Sequence, residues 1–114
     1  MADPRIIACP LPDYDDVTKG GDPVYHVTIP AVWTGADVDR KDAALEKARE
    51  KKLGPTMMQF AACLSLCESW NLPGLPNGTI EPEALRALPW QLISWVNRVV
   101  WSDFQEAAYV EKKD

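Results

Sequence analysis

The sequence predicts a mainly α protein: a small helical domain of three to four helices with a short N-terminal β hairpin or extended arm. Three observations predict it. Apolar residues recur at helical spacing through residues 57–67 and 92–107. Capping and proline signals stand where those segments begin. The short β-branched runs lie in the first 33 residues, which Pro4, Pro10, Pro12, Pro23 and Pro30 divide into pieces too short for helices.

Within that arm, RIIAC at 5–9 and VYHVTI at 24–29 are the strand candidates. The second has the better alternation of β-branched and aromatic residues. Lys19-Gly20-Gly21-Asp22 between them is a turn signal. With 114 residues and 46% apolar content, the chain has the size and composition for one core. It is therefore read as a single domain over 1–114, an extended or β arm at 1–33 and a helical body at 34–114.

The body opens with Thr34-Gly-Ala-Asp37, which has the form of a capping box ahead of the charged segment VDRKDAALEKAREKK. Only Val38, Leu45 and Ala48 line an apolar stripe there, so this helix is expected to be weakly tethered and largely solvated. Leu53-Gly54 interrupts it, and Pro55 is placed as the first residue of a second helix running to about Trp70. Met57, Phe60, Cys63, Leu64 and Cys67 share one face of that helix. Met58, Ala62 and Leu66 project elsewhere, so the segment is apolar nearly all round and must be covered by neighbours, by a partner or by self-association.

The stretch SWNLPGLPNG at 69–78 is a joint rather than a ligand-gripping loop, because no cluster of polar groups accompanies it. Trp70 and Leu72 are expected to pin it to the core, while Pro73, Pro76 and Gly78 set the angle between helices. Glu81-Pro82-Glu83-Ala84 starts a short helix from which Leu85 and Leu88 point inward. Pro89 opens the last helix, which reaches about Tyr109. Its central stripe is Ile93, Val96, Val100, Phe104 and Ala107, flanked by Leu92 and Val99 on one side and by Trp90 and Trp101 on the other.

Charge and composition exclude several function classes. Seventeen acidic against twelve basic side chains give a formal charge of −5, which disfavours a nucleic-acid partner. No run approaches the ~20 apolar residues of a membrane span, and the N-terminus has no apolar run of signal-peptide type, so a cytoplasmic protein without a membrane partner is expected. Three cysteines in such a chain read as reduced thiols. Cys9, His26, Cys63 and Cys67 are zinc-ligand types, yet their spacing matches no zinc knuckle or finger. His26 comes with no orienting carboxylate that the sequence can place, and Cys63 and Cys67 fall on an apolar helix face, so neither an enzyme nor a cofactor or metal site is expected.

Surplus aromatic and thioether surface points instead to protein contact. The chain has five tryptophans, and on the helical wheel Trp95 falls with Arg98, Ser102 and Glu106, with Tyr109 nearby. Trp95 is either a contact anchor or a residue covered by the N-terminal arm. Met58 is either part of an adaptable surface or core filling. The contact reading names Met58, Leu66, Trp95, Val99 and Tyr109 as a protein-binding set.

The order of segments over residues 50–102 carries a resemblance. A charged segment, an apolar helix ending in Trp70-Asn71-Leu72, a Pro/Gly connector, the short EPEALRALP with Leu88 and Pro89, and PWQLISWVNRVV together resemble the tail assembly chaperones of long-tailed bacteriophages. The resemblance implies a mainly helical protein of the host cytoplasm. Such a protein binds the long, apolar tape measure protein, keeps it soluble and helps tail tube subunits polymerise around it, with the tail tube protein as a second partner. It also implies a longer frameshifted form, with which Lys112-Lys113 is compatible. The alternative is a small structural virion component, a connector or tail-completion protein.

Overall fold

The computed structural model of the protein describes residues 3–8, 18–19, 22–23, 25–72, 74–78 and 80–111. In chain order the elements are β1 (Arg5–Ala8), β2 (Thr18–Lys19), β3 (Asp22–Pro23), β4 (His26–Ile29), α1 (Gly35–Glu50), α2 (Pro55–Leu66), β5 (Ser69–Asn71), α3 (Pro82–Arg86) and α4 (Trp90–Glu111). The predicted class holds: among the described residues there are four helices and a short antiparallel sheet. Cys9 and Val24, at the ends of the two predicted strands, lie outside the described residues.

The sheet has the order β1-β4-β5, so β1 and β4 are neighbours although they are not joined by a tight turn. Alternation decides which face is inside. Val27 and Ile29 point into the core and are buried, whereas His26 and Thr28 are half-buried. Ile7, Val27 and Trp70 are register partners across the three strands, forming one apolar row on the inner face. A second, two-residue ladder pairs Thr18 with Pro23 and Lys19 with Asp22, bracketing the Gly20-Gly21 pair, which lies outside the described residues.

One prediction about the body needs correction. The second helix was expected to reach about Trp70; α2 ends at Leu66, and Ser69–Asn71 is the third strand of the sheet. The reason is tertiary. Cys67 turns to an extended conformation, φ −83° and ψ 142°, and the Glu68 N–H donates to the Thr28 carbonyl at 2.7 Å, so β4 offers the backbone a partner that continued helix would forgo. The connector therefore carries a strand as well as a bend.

Beyond β5 the chain closes a tight turn in which the Leu75 N–H reaches the Leu72 carbonyl at 3.3 Å and Gly74 takes φ 72°. Trp70 fixes this turn from below: its Nε1–H donates to the Leu75 carbonyl at 3.0 Å, and its backbone N–H donates to Asn77 Oδ1 at 2.5 Å. Trp70 and Leu72 are buried, Pro76 is exposed, Gly78 takes φ 81°, and Pro73 lies outside the described residues. The Pro89 carbonyl accepts from Leu92 and Ile93 and starts α4.

One apolar cluster unites the pieces. It draws Val27 and Ile29 from β4, Phe60 and Leu64 from α2, Leu85 from α3, and Leu92, Val96 and Val100 from α4. α2 is its centre, packed against both α1 and α4. α1 contributes little: of its sixteen residues only Asp37 and Ala48 are buried. Its two ends are nonetheless well finished. Thr34 and Asp37 make the capping box, with Asp37 Oδ2 accepting the Thr34 N–H at 2.8 Å. At the other end the Leu53 N–H reaches the Ala48 carbonyl at 3.1 Å and the Lys52 N–H reaches Arg49 at 3.0 Å, a Schellman motif with buried Ala48 and Leu53 at its apolar positions. Among the described residues no helix is long and apolar enough to cross a membrane.

Candidate functional site

The proposed contact residues do not share a surface. Trp95 is 2% exposed and Leu66 is fully buried, so both belong to the core and neither is available as a contact anchor in the folded chain. Met58 and Val99 are half-buried against the core, and the side chain of Tyr109 lies outside the described residues. The tryptophan that α4 does present is Trp90 in its first turn, 63% exposed.

The physical reason lies in where the core surrounds α4. A wheel averages over the whole helix, but among the described side chains of α4 burial is complete only up to Val100. Over that stretch the buried arc runs through Leu92, Ile93, Trp95, Val96 and Val100, turned toward Leu92 and away from Trp90. Beyond Val100, among the described side chains, the stripe continues as half-buried Trp101, Phe104 and Ala107. α4 thus has an inner half that builds the core and an outer half that builds surface.

That outer half lines a groove of about 550 Å³. Its walls are the segment Ala31–Thr34, the first turns of α1 with Gly35 and Val38, and Asp103, Phe104 and Ala107 of α4. Val32, 69% exposed, and Val38, 39% exposed, are apolar side chains held in water beside it. Two separate features hold the walls in place. The Asp103 carboxylate accepts from Arg5 Nη1 at 3.0 Å and Nη2 at 2.9 Å, and from Trp33 Nε1 at 2.9 Å. Arg5 also donates to the Pro30 carbonyl through Nε at 3.0 Å and Nη2 at 2.9 Å. One bidentate pair thereby ties β1, the segment after β4 and α4 together.

Aromatic packing is the second feature. Trp33 meets Phe104 edge to face at 5.2 Å and 89°, Trp101 lies 6.1 Å from the same ring, and Lys41 Nζ stands 5.8 Å from its centroid. A groove with fixed walls and projecting valines is suited to receiving apolar side chains. Local sequence gives no sign of this arrangement, since Arg5 and Asp103 are 98 positions apart. The only available signal was Trp33, the one tryptophan outside the core helices and the joint.

The thiols and the histidine fall elsewhere. Cys63 and Cys67 are buried, and burial pushes both thiols up to about 12, so they stay protonated at neutral pH in the folded chain. Cys67 Sγ donates to the Cys63 carbonyl at 3.3 Å. His26 sits in β4 opposite Ala8 and Asn71, and Cys9 lies outside the described residues. Among the described residues no group of three His, Cys, Asp or Glu side chains is placed to hold a metal ion. No protein-family model, curated protein or solved structure matches the chain.

Proposed function

We propose that the protein is a phage tail assembly chaperone that binds the tape measure protein in the host cytoplasm, keeps it soluble and assists tail tube polymerisation. The observation that carries this reading is the groove between α1 and the outer half of α4, where Val32 and Val38 stand exposed beside walls fixed by the Arg5–Asp103 pair. Apolar burial is non-directional, so such a surface accepts varied apolar segments of a long client, and a formal charge of −5 favours solubility of the complex. The order of segments over residues 50–102, with Trp70, Asn71, Leu72, Leu88 and Pro89, supports the same family. The contact set now rests on Val32, Val38 and Trp90 in place of Trp95 and Leu66.

The test is co-expression with a phage tape measure protein. The wild-type chain should move that protein from the pellet to the soluble fraction. The double substitution Val32→Asp with Val38→Asp should return it to the pellet while circular dichroism stays unchanged, because neither side chain is in the core. Equal solubilisation by the double variant would remove this groove from the reading. Finding the chain in purified virions would favour a structural component of the particle, since a chaperone is absent from the finished tail.

A further inference from the structure

A second depression runs along the other flank of α1, and its chemistry differs. Two adjoining hollows, of about 340 and 410 Å³, share Ala44, Lys47, Gly78 and Ile80, so they form one continuous groove between α1 and the residues Gly78, Ile80, Glu81 and Pro82. Small side chains make it: Ala43 and Ala44 on the α1 bank, Gly78 on the other, with Leu64 and Trp70 beneath. The floor is apolar.

The rim is cationic on the α1 side. Arg40, Ala44, Lys47 and Lys51 follow a 4, 3, 4 spacing, one stripe about 16 Å long that the groove follows. Four acidic residues of the same helix, Asp39, Asp42, Glu46 and Glu50, fall on a different side; Asp37, which Arg40 engages, is the one acidic residue of α1 on the groove side. The groove charges are not equivalent. Arg40 is engaged by Asp37 and donates through Nε to the Ser65 carbonyl at 3.2 Å. Lys51 and Glu81 are 3.8 Å apart, and Glu68 closes the Arg40 end. Lys47, at the middle and common to both hollows, has no ion pair among the described residues. A lysine with no ion pair among the described residues, lining an apolar-floored groove, with a looser lysine one turn on, is complementary to one kind of occupant.

We infer that this groove docks an acidic amphipathic helix of a partner protein, its small apolar side chains seated over Ala44 and its carboxylates on Lys47 and Lys51. A second copy of this chain is disfavoured by the repulsion between two molecules of charge −5. The inference does not rest on the chaperone reading: it concerns a different flank of α1 and a partner defined by charge.

The experiment titrates the full ¹⁵N-labelled chain with two synthetic helical peptides of about 18 residues, long enough to hold helix, that share an alanine/leucine face and carry either glutamates or lysines beside it. The glutamate peptide should shift the amides of Ala43 to Lys51 and of Gly78 and Ile80 and leave Val32 and Val38 unmoved. Lys47→Glu should weaken it about fivefold. Ala44→Leu, which fills the hollow at a half-buried position, should abolish the shifts with the circular dichroism unchanged. Equal binding of the lysine peptide, shifts confined to the Val32 groove, or no shift at about 1 mM glutamate peptide would each overturn the proposal. Tighter binding of a single-stranded oligonucleotide at the same amides would overturn it in favour of a phosphate-backbone partner.

Discussion

α1 and α2 lie side by side, yet they stand in opposite relations to the core. α2 buries six of its twelve residues, Phe60 through Leu64 and Leu66, whereas α1 buries two of sixteen, one of them a carboxylate. The difference follows from composition. A helix that is apolar nearly all round is driven into the middle of the fold and spends most of its surface on packing. A charged helix with small residues and finished ends stays at the surface, and both grooves described above are built against its flanks. In this molecule α2 supplies much of the core, and α1 lines the grooves on which both proposals rest.

That contrast can be broken most strongly at Phe60. Phe60→Ala removes a fully buried ring at the centre of the cluster and is expected to destabilise by about 3–5 kcal/mol, while Glu46→Ala on exposed α1 should stay within about 0.5 kcal/mol. Chemical denaturation of the two variants measures the difference directly. Similar losses in both would mean that α1 is tethered far more firmly than its burial indicates.

The thiols next to the core give a second, smaller handle. Unfolded thiols ionise near 9.0, while burial holds Cys63 and Cys67 protonated up to about 12. The native state therefore binds more protons than the unfolded state between those values. The stability so contributed is complete below pH 9 and falls as pH rises toward 12. In a Cys9→Ala background, iodoacetamide at pH 8 should leave both thiols unmodified until denaturant unfolds the chain.

The smallest expected effect sharpens the picture of α1 itself. Lys52 takes φ 58° in the Schellman motif, a left-handed position that favours glycine. Lys52→Gly should raise stability by about 0.5–1 kcal/mol, read as a shift of the denaturation midpoint at constant slope. A loss instead would mean that the greater freedom of glycine in the unfolded chain outweighs the relief of the left-handed backbone.

Much of the organisation was legible because it is written in short-range patterns. The Thr34–Asp37 cap, Pro55 at the head of α2, Pro82 in the first turn of α3 and the helical spacing of Ile93, Val96 and Val100 depend on residues a few positions apart, which sequence displays directly. The sheet was only half legible. RIIAC and VYHVTI have strand composition, but SWN does not, and Ser69–Asn71 is a strand because β4 stands beside it with unpaired backbone groups. The candidate site was less legible still. Trp95 and Trp90 differ little in local pattern, and which one meets water depends on the arc of α4 that its neighbours enclose.

Where the helices start, the cap of α1, its charged character and the apolar character of α2 could be read from the chain alone, since each follows from local backbone preference and from the period of hydrophobic residues. Three-dimensional packing was needed to bring Arg5 to Asp103, to set Lys47 along an alanine-lined groove and to take Trp95 into the core. Those outcomes depend on which distant surfaces come together, and burial free energy is set by the whole enclosing shell rather than by any residue's neighbours along the chain.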